Sequence, residues 1–408
     1  MKQILQSSIW SIRDLRLVLP ARAISYAGDS IALVALMLRV SDAGGPGAIT
    51  ALLLAFALPT VVMIPFAGRI VDGFDSRAVL VCASLLQAAA GVGLAFSHGL
   101  APTLAFVCAL QFGQAVAGPA WGALVPRIVG DDLVGKAVGT GQALAGVAML
   151  AGSALGGVLV GWQGDRVALL VDASTFAGLA VVARLVRTRR RPVAGAAGRQ
   201  GGVMIGLQSL FADQLLRILV PGLWIFVVVG EALNVVEVFL ITDEIGLGPT
   251  GYGAVVAAQG AGAIWGSLAA GALRSDTARS YAVLAGTVGI GGACVLMGVA
   301  PGVVALVVGA VAVGLAGGML NAATSTLIVT RSVEVVRGRV IAAMTGVTRA
   351  FSLLALLLGG LVGAGLGPRA TFVLGGLACV LTGLVIAVLV ALGSRQMGKD
   401  SAEEVFSH

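Results

Sequence analysis

Twelve stretches of about 20 largely apolar residues recur along this chain, and a stretch of that length crosses the hydrocarbon core of a bilayer as one helix. They lie near 17–41, 47–67, 78–97, 101–124, 137–161, 166–186, 218–241, 250–273, 281–299, 303–328, 340–365 and 370–393. Composition agrees. Of 408 residues, 58% are hydrophobic and only 11% charged, against about 25% charged in soluble domains. So few charges cannot cover the surface of a soluble protein this long. The expected fold is an all-α membrane protein with twelve transmembrane helices.

Lysine and arginine orient these helices. With the N-terminus inside, the inner loops collect Arg69, Arg77, Arg127, Lys136, a dense group from Arg184 to Arg199, and Arg331, Arg337 and Arg339. Of 26 basic residues, only Arg39, Arg166 and Arg369 fall outside, while Arg22 and Arg349 lie within the membrane. A multi-pass monomer in the inner (cytoplasmic) membrane, with both termini cytoplasmic, is expected. The same bias accounts for the net charge of +7. "RTRRR" (187–191) reads as a positive-inside anchor, and nucleic acid is not an expected partner.

The longest polar stretch, Arg187 to Gln214, divides the helices six and six. The expected organisation is a cytoplasmic N-terminal segment (1–16), an N-terminal bundle (17–186), a cytoplasmic linker (187–217), a C-terminal bundle (218–393) and a cytoplasmic tail (394–408). In the first segment Ile4, Leu5, Ile9, Trp10 and Ile12 form one side of a short interfacial helix. An internal duplication supports two pseudo-symmetric halves. "LVPRIVGDDLVGKAV" (124–138) follows the fourth helix, and "IVTRSVEVVRGRVI" (328–341) follows the tenth. Two such halves are a common transporter plan.

Sixty glycines would weaken soluble helices, but in lipid small residues let helix backbones approach closely. The run Gly152-Ser153-Ala154-Leu155-Gly156-Gly157 reads as a helix–helix contact surface. Cys82, Cys108, Cys294 and Cys379 lie in apolar stretches without metal-ligand spacing, and His98 and His408 are isolated. Neither a metal site nor a disulfide framework is indicated, and no cofactor is expected. Gly130 to Ala137 nearly matches a phosphate-binding loop but lacks the magnesium-holding hydroxyl and a preceding strand. An ATP-driven pump is therefore disfavoured.

"GRIVDGFDSR" (68–77), between the second and third helices, resembles the signature loop of the major facilitator superfamily at Gly68, Asp72 and Arg77; Gly73, Asp75 and Ser76 depart from it. Gly28-Asp29, Asn234 with "EVFL" (237–240), and "RGRV" (337–340) are similar to the branch that includes macrolide-efflux and enterobactin-export proteins. The resemblance implies a secondary transporter whose first, seventh and eleventh helices line a central cavity. It also implies a gating loop in which Asp72 faces the start of the eleventh helix or Arg339 when the cytoplasmic side is closed. The alternative for these residues is ordinary loop charge that sets topology. The second-half counterpart, "GSLAAGALRSDTAR" (266–279), keeps Gly266, Arg274 and Arg279 but lacks the acid at the matching place.

Charges inside the apolar runs remain to be explained. Asp29 sits near mid-membrane, two helical turns from Arg22 and on the same face. Glu231, Asn234 and Glu237 form a strip on the seventh helix, and Arg349 lies mid-way along the eleventh. Gln114, Gln142, Gln259 and Asn321 add uncharged polar groups at depth, as does Gln111. Asp29 and Glu231 together would cost roughly 6 kcal/mol on an insertion scale, and Arg349 roughly 3 more. Such groups face a wet cavity or each other. A static Arg349–Glu231 ion pair is one alternative. Asp172 is placed near the external surface, where it can snorkel and serve structure alone.

Because desolvation disfavours the charged form of a carboxyl group, Asp29, Glu231 and Glu237 are the candidate proton carriers. Arg22 and Arg349 tune them, and Asn234 contacts substrate. The expected function is export of amphipathic small molecules, such as antibiotics or siderophore-like metabolites, in exchange for protons. A proton-coupled importer, a proton-independent facilitator and, more remotely, a non-transporting sensor or scaffold are the alternatives. No nucleophile–base or metal constellation suggests an enzyme.

Overall fold

A computed structural model of the protein describes residues 9–130, 133–188, 208, 211–331 and 337–406. Among them all regular structure is helical, as it must be in lipid, where each backbone polar group needs a partner within its own segment or a closed barrel. Among the described residues twelve helices are long and apolar enough to cross a membrane. The first helical run, Arg13–Gly73, breaks at Gly44 and Gly45. Gly45 has φ 63° and ψ −160°, a conformation open only to glycine, and this turn separates α1 (Arg13–Asp42) from α2, whose span is Gly44–Met63.

The chain continues through α3 (Ser76–Phe96), α4 (Leu100–Val129), α5 (Val134–Gln163), α6 (Asp165–Leu185) and α7 (Gln214–Phe239). A π turn, Leu240–Glu244, precedes α8 (Pro249–Gly271). The last four are α9 (Asp276–Gly298), α10 (Val303–Arg331), α11 (Arg337–Leu366) and α12 (Pro368–Phe406). They form two compact units. One comprises Met1–Arg199 with Ile241–Ala257, the other Gln200–Leu240 with Ala258–His408.

Lipid supplies no hydrophobic drive to join helices, so close backbone approach does that work. In the first unit the α1–α2 run packs on α4, α5 and α6, and α3 packs on α4 and α6. The glycine run of α5 acts as a contact surface. A Cβ on Gly152 would strike Ala27 of α1, and one on Gly156 would stand 3.0 Å from Ile31 Cα. The next residue, Gly157, meets Gly253, which draws the first turns of α8 into this unit. Phe176, Leu80, Leu124 and Trp121 fill the core between α3, α4 and α6. Ile9, read as part of an interfacial helix, instead packs with Leu15, Leu19 and Val129, while Trp10 is exposed.

In the second unit α9 packs on α10 and α12, and α7 packs on α11 and α12. Gly262 and Gly266 of α8 oppose Gly314 and Gly318 of α10 so closely that a Cβ at any of the four would run into facing backbone. Helix ends repeat between units. Arg166, second residue of α6, lies 3.9 Å from the centroid of Phe96 at the end of α3. Arg369, second residue of α12, donates to the carbonyls of Gly298 (3.2 Å) and Ala300 (3.0 Å) at the end of α9. Arg166 thus sits over an aromatic face, and Arg369 meets carbonyls at the negative end of a helix dipole.

Candidate transport sites within the two units

α7 starts cleanly because Asp213 caps it, accepting from the N–H groups of Leu215 (3.0 Å) and Leu216 (2.9 Å). Farther along, Glu231 and Glu237 of its polar strip are half-buried and Asn234 is exposed. Glu231, Asn234 and Glu237 line one cavity of about 270 Å³, together with Phe226, Gln259 and Cys294. Asn234 donates from Nδ2 to Glu231 Oε2 at 3.2 Å. Glu237 is the more isolated acid, for its Oε1 is buried without a hydrogen-bond partner. An orphaned carboxyl oxygen inside a membrane span is expensive to keep, and such residues mark ion and substrate paths.

Arg349 and Asn321 do not join this cavity. Both are exposed, on α11 and α10 respectively. No ion pair links Arg349 to Glu231 among the described residues. The tuning cation and the static pair expected from sequence are therefore not formed within this unit.

In the first unit Asp29 borders two recesses. The larger, of about 340 Å³, is lined by Asp29, Ser30, Gln111, Gln114, Met149 and Asp172 among others. A narrow one of about 20 Å³ holds Arg22, Tyr26, Asp29, Gln87 and Gln114. Arg22 and Asp29 therefore share a recess, as their spacing predicts. The Arg22 guanidinium donates to the Tyr26 hydroxyl at 2.6 Å, and Gln87 Nε2 donates to Gln114 Oε1 at 3.0 Å. Gln142 is exposed on α5 and lines neither recess. Asp172 corrects its sequence reading: it does not snorkel but is 2% exposed, with Oδ1 unpartnered.

The gating-loop expectation falls largely outside the described side chains, which omit Gly68, Asp72 and Arg339. Arg77 is described and donates to the Val186 carbonyl beyond α6, leaving its Nε buried and unpartnered. Asp75, a departure from the family pattern, caps α3 by accepting from the N–H groups of Arg77 (2.9 Å) and Ala78 (3.4 Å). The second-half loop holds a cluster that sequence reading missed. Asp276 binds Arg279 at 3.0 Å and Arg331 at 3.2 Å, and Arg331 reaches Asp213 at 3.1 Å. Its signal was an acid and an arginine at i and i+3 just after the cap Ser275.

The Major Facilitator Superfamily profile matches residues 18–240 and 222–406. The chain is 28% identical over 401 residues to the multidrug efflux pump Tap of Mycobacterium tuberculosis, covering 92% of this chain and 93% of that protein. It is 29% identical over 255 residues to the lysophospholipid transporter LplT of Yersinia pestis, covering 60% and 62%. Among solved structures, the nucleoside transporter NupG superposes with a TM-score of 0.74 at 14% identity, over 93% of this chain and 99% of that one.

Proposed function

The chain belongs to the Major Facilitator Superfamily and is a multi-pass membrane transporter rather than an enzyme, and we propose that it exports amphipathic small molecules in exchange for protons. The observation that carries this reading is one arrangement found in both units. Carboxyl groups within the spans border a recess, Asp29 in one unit and Glu231 with Glu237 in the other. Among the described residues no ion pair neutralises any of them. The two relatives, named for drug efflux and lysophospholipid transport, both support a cargo with apolar and polar parts.

In this reading Asp29 and Glu237 take protons from the outer side and release them inward, with Glu231 assisting. Asn234 contacts cargo through an amide already oriented by Glu231. Arg22 shares the narrow recess with Asp29, and Gln114 and Gln259 supply polar wall. Arg349, Gln142 and Asn321, exposed on their own units, act only in states that bring cargo to them. Gly68, Asp72, Arg77 and Arg339 keep the gating role that the sequence resemblance implies, and both termini are cytoplasmic. One proton per pH unit of gradient supplies about 1.4 kcal/mol, enough for about a tenfold cargo gradient.

Everted membrane vesicles with an acid-inside gradient test the proposal, with ethidium and a lysophospholipid as probes. Gradient-driven uptake of either probe that collapses with a protonophore is the expected result. Uptake indifferent to the gradient would make the protein a facilitator, and gradient-driven loss from the vesicles would make it an importer.

A further inference from the structure

Asp172 is the buried acid that this reading leaves without a task. Its residue is 2% exposed, and its Oδ1 has no hydrogen-bond partner. The nearby Thr175 hydroxyl donates at 2.8 Å to the Asp172 backbone carbonyl, so it does not serve the carboxyl group. Where α6 meets α1, the neighbour is Gly28. A Cβ there would stand 2.7 Å from Asp172 Oδ1 and 2.8 Å from Thr175 Oγ1. Glycine at 28 therefore lets the α6 carboxyl lie against the α1 backbone, one residue from Asp29. Both acids line the recess of about 340 Å³.

Resting on the proton-coupled reading of Asp29, we propose that Asp29 and Asp172 form a two-carboxyl proton site in the first unit, with one proton held between them. The surroundings favour a proton over a resident counter-cation. From α1 the recesses receive Arg22 and Tyr26, from α3 Gln87, from α4 Gln111 and Gln114, from α5 Met149, and from α6 Asp172. Arg22 is the sole cation among these lining residues. It is bound to Tyr26 and lines only the narrow recess, where Asp172 is absent. Two carboxylates facing one low-dielectric space resist joint ionisation. A shared proton gives one acid a donor and the other a partner, which would satisfy the orphaned Oδ1. The spacing of α1 and α6 then sets proton affinity, so a shift between these helices loads or empties the site.

The test is an infrared titration of the purified full chain in lipid, following the carbonyl band of protonated carboxyl groups. Spectra of the Asp29→Asn/Asp172→Asn double variant are subtracted to remove other acids. The pair should lose its protons in two steps in the parent. Asn stands in for a protonated, neutral partner, so Asp172→Asn should leave a single Asp29 step about one pH unit or more below the upper parental step, the mark of coupled groups. Asp29→Asn should likewise leave a single Asp172 step, with the upper parental step gone. Survival of the upper step in either variant would overturn the pair, and so would steps that vanish when choline is replaced by sodium. Failure of the export reading looks different: the pair titrates as stated while probe transport ignores the gradient.

Discussion

Glu237 and Asp29 show what one residue can reveal. A carboxyl group in an apolar helix needs a reason to be there, and this made Asp29, Glu231 and Glu237 readable from sequence. Each borders a cavity in the structure. Asp172 was misread because its position along α6 suggested the surface, whereas burial depends on which face Gly28 admits. Arg349, Gln142 and Asn321 show the converse, for each is polar at depth yet exposed on its own unit. Depth is legible in sequence, but helix rotation is not. Two outcomes follow at this scale. Glu237→Gln should keep stability within about 1 kcal/mol, since it removes a charge and opens no void, while gradient-driven ethidium uptake falls about tenfold or more. Asn234→Leu should raise the half-saturating probe concentration several-fold and leave gradient dependence intact, as initial rates in vesicles would show.

At the scale of the helix, glycine sets the geometry. The Gly152–Gly157 run was legible as a contact surface, but its partners, Ala27, Ile31 and Gly253, were not. Composition shows that small residues are present, and only packing shows whose backbone fills the gap. Gly266→Leu should cost about 3 kcal/mol or more, because the obstructing atoms are backbone of α10 and cannot rotate away. Gly178→Ala, where nothing lies within 4 Å, should be neutral or stabilising by up to about 1 kcal/mol. Thermal unfolding of the detergent-solubilised variants separates the two. Asp75→Ala should lower stability by about 1 kcal/mol in the same assay through loss of the α3 cap.

At the scale of the molecule, the twelve helices were legible because bilayer thickness fixes their length and each apolar run is self-contained. Less visible was how the helices sort. Residues 241–257 pack with the first unit, a division inside α8 that no apolar run announces. It arises where Gly157 and Gly253 bring α5 and α8 into backbone contact. The pairing of Arg166 with Phe96, and of Arg369 with the end of α9, was equally hidden. These arginines entered the sequence argument only as exceptions to the charge bias. Orientation rests on that bias, and it predicts that epitope tags at both termini resist protease added to intact cells. Cleavage of either tag without lysis would reverse the assigned topology.

Reconstituting the parent, Asp29→Asn and Glu237→Gln in liposomes that enclose a pH-sensitive dye tests the central claim most directly. Imposing a gradient of a transported probe should drive protons the opposite way across the parent membrane, while both variants let the probe equilibrate with no change of internal pH. Proton movement in the variants equal to the parent's, or none in the parent while probe crosses, would contradict the account.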